Sequence, residues 1–165
     1  MSSLKEIRGE KPKVEPNKKA FRVVVIFFIV AFISLVTIYF LFHPSVVIGP
    51  SMEPTYHDGQ IVATDVHFEK EDITYDTVII YRAPDKRKLI KRVVGMPGDN
   101  VEVRTDGVYV NGTLRKDDFG AIEETSSPVL LKEDEYFVLG DNRNNSMDSR
   151  YYGPVKFKDI TNIVR

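Results

Sequence analysis

Cysteine is absent from the 165 residues. Disulfide bonds and thiolate-held metals are therefore excluded, and any folded domain must be held by its apolar core alone. Histidine is scarce. His43, His57 and His67 are the only imidazoles, and their spacing matches no recognisable metal-ligand pattern. We read them as surface or packing residues and expect no metal and no cofactor. An excess of positive charge is also lacking. Basic and acidic residues number 23 and 24, and the chain beyond residue 42 carries 16 against 21, a formal charge of −5. That balance gives no reason to expect nucleic acid as a partner.

Charge is missing altogether between Val23 and Phe42. At ~1.5 Å of rise per residue, a helix of that length covers the roughly 30 Å hydrocarbon core of a bilayer. The segment ahead of it holds Lys5, Arg8, Lys11, Lys13, Lys18, Lys19 and Arg22, whereas no Lys or Arg occurs from His43 to Glu69. By the positive-inside rule the N-terminus is cytoplasmic and the remainder lies outside. A cleaved secretion signal has a shorter apolar core of ~7 to 15 residues followed by a small-x-small site, which is missing here. A buried core helix would not be apolar on every face behind a basic flank. The expected organisation is a basic cytoplasmic tail over 1–22, a transmembrane anchor over 23–42 and an extracytoplasmic domain over 43–165. The tail is Lys-, Glu- and Pro-rich with little to bury, and reads as flexible.

The 123 residues of the external part suffice for one domain that buries roughly two thirds of its unfolded surface. Helical periodicity of convincing length is lacking after Phe42. Short β-branched and aromatic runs recur instead, at Gln60 to Thr64, Thr77 to Arg82, Leu89 to Val94, Val101 to Arg104, Val108 to Val110, Tyr136 to Leu139 and Val155 to Phe157. Met96-Pro97-Gly98-Asp99 has Pro and Gly where a type II turn requires them, and Asp106-Gly107 and Asn111-Gly112 can close hairpins. Lys116 to Pro128, acidic and rich in Ser and Thr, reads as a long surface loop or an insertion between strands. The fold class expected is all-β, mainly antiparallel, behind one N-terminal transmembrane helix.

Ser51 stands nine positions beyond Phe42. Nine residues reach at most roughly 30 Å, so this serine works close to the membrane. A serine hydroxyl needs a neighbour to take its proton. The three histidines leave a Ser-His-Asp arrangement open, since triads assemble from any chain order, but nothing pairs any of them with a carboxylate. Lys91 shares a strand face with Leu89 and Val93, so its amine can lie on apolar surface, where desolvation lowers its pKa. At the reference value of ~10.4 about one lysine in 2,500 is neutral at pH 7; at ~8, about one in eleven is. Arg92, on the other face, keeps its proton. Taken alone, a strand lysine is most often a solvated edge charge.

The combination of motifs reverses that preference. Gly49-Pro50-Ser51-Met52-Glu53-Pro54-Thr55, Tyr75-Asp76-Thr77-Val78-Ile79-Ile80-Tyr81, Lys91-Arg92-Val93-Val94-Gly95-Met96-Pro97-Gly98-Asp99 and Gly140-Asp141-Asn142-Arg143-Asn144-Asn145-Ser146-Met147-Asp148-Ser149-Arg150 resemble, in order and spacing, the boxes of type I signal peptidases. The single anchor and compact external part are similar to the Gram-positive form. Four ordered motifs behind one membrane helix are far more specific than a lone Ser-Met-x-Pro. The resemblance implies the signal-peptidase and repressor-peptidase type of β fold. It also implies an acyl-enzyme mechanism with Ser51 as nucleophile, Lys91 as general base, Ser146 orienting the amine, and Asp148 with Arg150 as a supporting pair. The implied partners are signal-peptide-bearing preproteins at the lipid bilayer, cut after small residues in an Ala-x-Ala pattern. For the substrate pocket we expect Val47, Met52, Leu89 and Ile90.

Two positions depart from the family pattern. Gly49 stands where some relatives carry a serine that donates to the oxyanion, which leaves the Ser51 backbone N–H as the expected donor. Tyr75 replaces the usual glycine before Asp76. Three rival readings are a non-catalytic pilus-assembly or chaperone-like relative, a self-cleaving repressor peptidase, and a tethered β domain that only binds. The first should lack the serine or the lysine, and the second should carry a DNA-binding domain in place of the anchor. Acylation of Ser51 by a β-lactam-like inhibitor discriminates against the third.

Overall fold

A computed structural model describes residues 17–115 and 118–165. The expected tail up to residue 16, and residues 116 and 117 of the expected loop, lie outside the described residues. The chain divides into two compact units, up to Ile38 and from Tyr39 onward. In the first, helix α1 (Lys18–Phe42) begins five residues ahead of the apolar run. Asn17 explains the early start: its side chain accepts from the N–H groups of Lys19 and Ala20, capping the helix over the charged residues. Lys18–Phe40 is long and apolar enough to cross a membrane, with none of it buried.

The second unit is built of antiparallel strands: β1 (Ser45–Val46), β2 (Ile61–Val62), β3 (Thr64–Asp65), β4 (Val78–Arg82), β5 (Lys88–Gly95), β6 (Asn100–Arg104), β7 (Gly107–Val110), β8 (Thr113–Arg115), β9 (Ser126–Leu130), β10 (Glu135–Leu139), β11 (Val155–Lys156) and β12 (Ile160–Val164). They form a pair β1-β2, a six-stranded sheet ordered β11-β10-β5-β4-β12-β3, and a four-stranded sheet ordered β8-β7-β6-β9. Among the described residues after α1 the only α-helix is the four-residue α2 (Ser149–Tyr152). All seven expected runs contain strands. Four strands escaped the sequence pattern: β1 and β8 are too short for a period, β12 follows a single turn of 3-10 helix, and β9 contains Pro128.

Alternation in β5 and β10 explains why two sheets share one domain. Tyr136 and Val138 enter one core with Ile79, Tyr81 and Val93, while Phe137 and Leu139 enter a second with Val94, Val101 and Val103. A strand buried on both faces reads as a continuous apolar run, as Tyr136 to Leu139 does. The chain crosses from the first sheet to the second at the Met96–Asp99 turn, where Gly98 has φ +88° and the Asp99 N–H donates to the Met96 carbonyl. Asn111 and Gly112 both have positive φ and close the β7–β8 hairpin as expected. The β6–β7 turn falls on Thr105 and Asp106, one residue earlier than expected, because Gly107 already pairs with Arg104.

The expected surface loop is more than that. Ile122 is buried in the second core, Glu123 and Ala121 exchange hydrogen bonds with the Asn144 side chain, and the Glu124 carbonyl accepts from Arg150. The segment straps the Gly140–Arg150 motif to the four-stranded sheet.

Candidate active site

Ser51 lies in the turn after β1, and Lys91 lies in β5. Lys91 Nζ stands 2.8 Å from Ser51 Oγ and also donates to the Ile90 carbonyl at 2.7 Å. The amine reaches the serine because β5 carries it on the Leu89 and Val93 face, cross-strand from Ile79, where the residue is only 2 % exposed. Burial pulls its pKa down to about 8, against the opposing pull of the Asp148 and Asp141 carboxylates. None of the three histidines appears among the hydrogen-bond partners of Ser51.

The Gly140–Arg150 motif holds the serine from behind. The Asn142 N–H donates to the Ser51 carbonyl and the Asn142 side-chain amide donates to the Pro50 carbonyl. Gly140 permits this approach, since a Cβ there would overlap the Ser51 carbonyl oxygen and the Ser146 side chain. Among the described residues the Ser51 N–H donates to no acceptor, so it remains available to a bound group. The Gly49 N–H is occupied by Asp58 at 2.7 Å, with Gly49 at φ +86°.

Asp148 is fully buried and accepts from the Gly140 N–H, from the Arg150 N–H and from the Arg150 guanidinium, the last at 2.8 and 2.9 Å. Arg150 also donates to the Arg143 carbonyl at 2.6 Å, closing the motif on itself. Ser146 sits beside Gly140, and its buried hydroxyl has no hydrogen-bond partner among the described residues. The expected contact of Ser146 with the lysine amine is therefore not made in this geometry; Ile90 supplies the second acceptor instead. Sequence reasoning passed over a further contact. Arg92, set aside as a base, clamps buried Asp141 with two hydrogen bonds of 2.6 and 2.8 Å and so ties β5 to the motif. The only signal for it was the Lys-Arg pair facing an acidic turn.

A cleft of about 310 Å³ opens beside Ser51, walled by residues of β1, β2 and the first half of β5. Val47, Leu89 and Ile90 line it as expected. Met52 does not. Its side chain is completely buried with Val47, Val62, Val78 and Ile90, because the turn after Ser51 folds it under the cleft. Met52→Ala is accordingly expected to cost about 2–5 kcal/mol of stability, measurable by denaturant unfolding in detergent. The cleft also borders an open strand edge: β10 reaches only as far as Arg92, so Lys88 to Lys91 pair with β4 alone. Tyr75, the second departure, is structural. Its hydroxyl donates to Asp99 at 2.6 Å and the Arg115 guanidinium stacks 4.6 Å from its ring centroid.

No group of His, Asp and Glu among the described residues has metal-holding geometry. A buried lysine against a serine, with free backbone N–H and an open strand edge alongside, is competent for acyl transfer to the serine oxygen. Residues 20–165 match the family described as signal peptidase, peptidase S26. A signal peptidase I of Bacillus amyloliquefaciens is 32% identical over 163 residues, covering 91% of this chain and 84% of that one. A second signal peptidase I of the same organism is 37% identical over 132 residues, covering 72% and 68%. A crystal structure of a signal peptidase I from Enterococcus faecalis is 31% identical, covers 56% of this chain and 97% of that one, and superposes with a TM-score of 0.48. The chain belongs to the signal peptidase family, peptidase S26.

Proposed function

We propose that this chain is a membrane-anchored serine endopeptidase that removes signal peptides from preproteins with a Ser51/Lys91 dyad. The observation that carries the reading is the 2.8 Å contact between Ser51 Oγ and an amine buried enough to lose its proton near neutrality. While charged, the ammonium donates to Oγ; once neutral, the contact reverses and the hydroxyl donates to Nζ. Ser51 Oγ then attacks the scissile carbonyl carbon as its proton passes to Lys91. The oxyanion so formed takes the free Ser51 N–H. Lys91 returns the proton to the leaving nitrogen as the C–N bond breaks, leaving an ester on Ser51. Water, losing a proton to the same amine, attacks the ester carbonyl carbon, and the bond to Ser51 Oγ breaks as the amine returns that proton to the serine oxygen.

The substrate binds extended in the cleft, adding to the open edge at Lys88–Lys91. Val47, Leu89 and Ile90 wall a space that suits small side chains before the cut, in keeping with an Ala-x-Ala preference. Residues 1–22 are the cytoplasmic tail, 23–42, within α1, the anchor, and 43–165 the extracytoplasmic domain. Ser146, with an unpartnered hydroxyl behind the serine, orients the amine during turnover, and Asp148 with Arg150 supports the motif. Incubating the full chain in lipid vesicles with a panel of preproteins, and reading the new N-termini by mass spectrometry, tests this. Cleavage after small residues in the Ala-x-Ala pattern is expected; products cut elsewhere, or none, would overturn the reading.

Gly140→Ala is expected to slow processing roughly 100-fold while substrate affinity changes little, because the added Cβ displaces the Ser51 carbonyl and with it the nucleophile. A kcat within threefold of the parent would contradict the role given to this close approach.

A further inference from the structure

Linked to Ser51 through Asn142, whose N–H donates to the Ser51 carbonyl, lies a depression of about 330 Å³ formed by Glu53, Pro54, Phe119 and the segment Asp141–Asn144. We infer that it is the subsite for the first residues on the leaving side of the scissile bond, with Phe119 as its apolar wall and Glu53 as its charge filter. The inference rests on the peptidase reading of Ser51.

The depression adjoins the backbone of Ser51 through Asn142. Ser51 lines the cleft together with residues 45–48, and the depression begins two residues further along the same turn, at Glu53 and Pro54. Asn142 belongs to the depression and donates to both the Ser51 and Pro50 carbonyls. An extended peptide whose acyl half occupies the cleft therefore continues onto this surface once it passes the serine oxygen.

Phe119 is held in place by two cations. Its half-buried ring lies 5.2 Å from the Arg92 guanidinium and 4.9 Å from that of Arg143. Arg92 clamps Asp141 and Arg143 donates to the Gly140 carbonyl, so the ring is mounted on the layer that positions the nucleophile. Two cation–π contacts hold this aromatic wall in place beside an open site. A strap needing only an anchor already has one in buried Ile122.

Asp141 and Arg143 are buried, and Asp141 is matched by Arg92, whereas the Glu53 side chain is 43 % exposed and faces His57 at 3.7 Å. Glu53 thus gives the depression its exposed negative charge, which disfavours an acidic side chain in the first positions after the cut and leaves apolar and basic ones unopposed.

The test uses full-length enzyme in vesicles and preproteins identical except for Ala, Phe, Lys or Glu at the first and second positions after the cut. Phe119→Ala is expected to lower kcat/KM roughly 3- to 10-fold for Phe-bearing substrates and to leave the Ala-bearing ones within twofold. Phe119→Tyr keeps the parent profile. Glu53→Gln is expected to raise the Glu-bearing substrates about 2- to 5-fold at low salt, with the gain fading as salt is added. Preference for residues before the cut stays unchanged in all three variants. Equal change across the panel, or altered preference before the cut, overturns the subsite while sparing the dyad. Failure of the parent enzyme to cleave any member overturns the peptidase reading and the subsite with it.

Discussion

Lys91→Ala is expected to lower preprotein processing by a factor of about 10³ or more, and Ser51→Ala by at least as much, with the two effects far from additive because the residues act as one unit. Lys91→Arg should fare no better, since a guanidinium keeps its proton. The parent activity should rise with pH through about 8, following the neutral fraction of the buried amine, and fall about tenfold per pH unit well below that value. Initial-rate measurements on one preprotein between pH 5 and 10 read both the loss and the profile. A pH-independent parent, or a Lys91→Ala enzyme within tenfold of it, would remove the lysine from the mechanism.

The same burial makes an opposite prediction for stability. Unfolded Lys91 holds its proton up to the ordinary value of 10.5, whereas the folded residue releases it near 8. Between those limits the unfolded state binds more protons, so stability rises with pH across the window, and below 8 the full penalty applies. Lys91→Met should therefore stabilise the fold at pH 7 by up to about 3 kcal/mol, less whatever the hydrogen bonds to Ser51 and Ile90 contribute. A raised midpoint in denaturant, with no activity, is the expected signature. The active site is kept at the expense of the fold.

Asp148→Ala should have the largest destabilising effect, about 3–5 kcal/mol. The substitution strands the Arg150 guanidinium, whose side chain is 3% exposed, and leaves the buried Gly140 N–H without an acceptor. It also removes a carboxylate that raises the pKa of Lys91, so any surviving enzyme should show its activity limb moved to lower pH. Denaturant unfolding of the full chain in detergent measures the first effect, and the pH profile the second. A loss under 1 kcal/mol would mean that Arg150 finds other partners, such as the Arg143 and Glu124 carbonyls it already touches.

Much of the fold was legible because its strands carry local signals. Tyr136 to Leu139 is apolar throughout, and Asn111-Gly112 has the residues that a tight hairpin with positive φ demands. The rest was not local. β9 accepts Pro128 because it lies at an edge of the four-stranded sheet, and a propensity rule cannot anticipate which strand will be terminal. Ile122 looked like part of a polar loop, yet it enters a core assembled from strands on both sides of it in the chain.

By itself the sequence determined that no cysteine and no histidine pattern supports the site, that one apolar helix precedes a β domain, and that Ser51 and Lys91 stand in motifs that identify the family. Those properties depend on residue type and spacing, which the chain carries before it folds. Tertiary structure alone decided that the Lys91 amine is buried against Ser51. Its neutral fraction depends on desolvation by burial, opposed by the distant-in-sequence Asp148 and Asp141. It decided equally that Met52 is buried under the cleft, that Arg92 locks Asp141, and that Phe119 comes to rest against the Arg92 and Arg143 guanidiniums. Each of these requires segments far apart in the chain to share a few ångströms, and only the packed sheets bring them there.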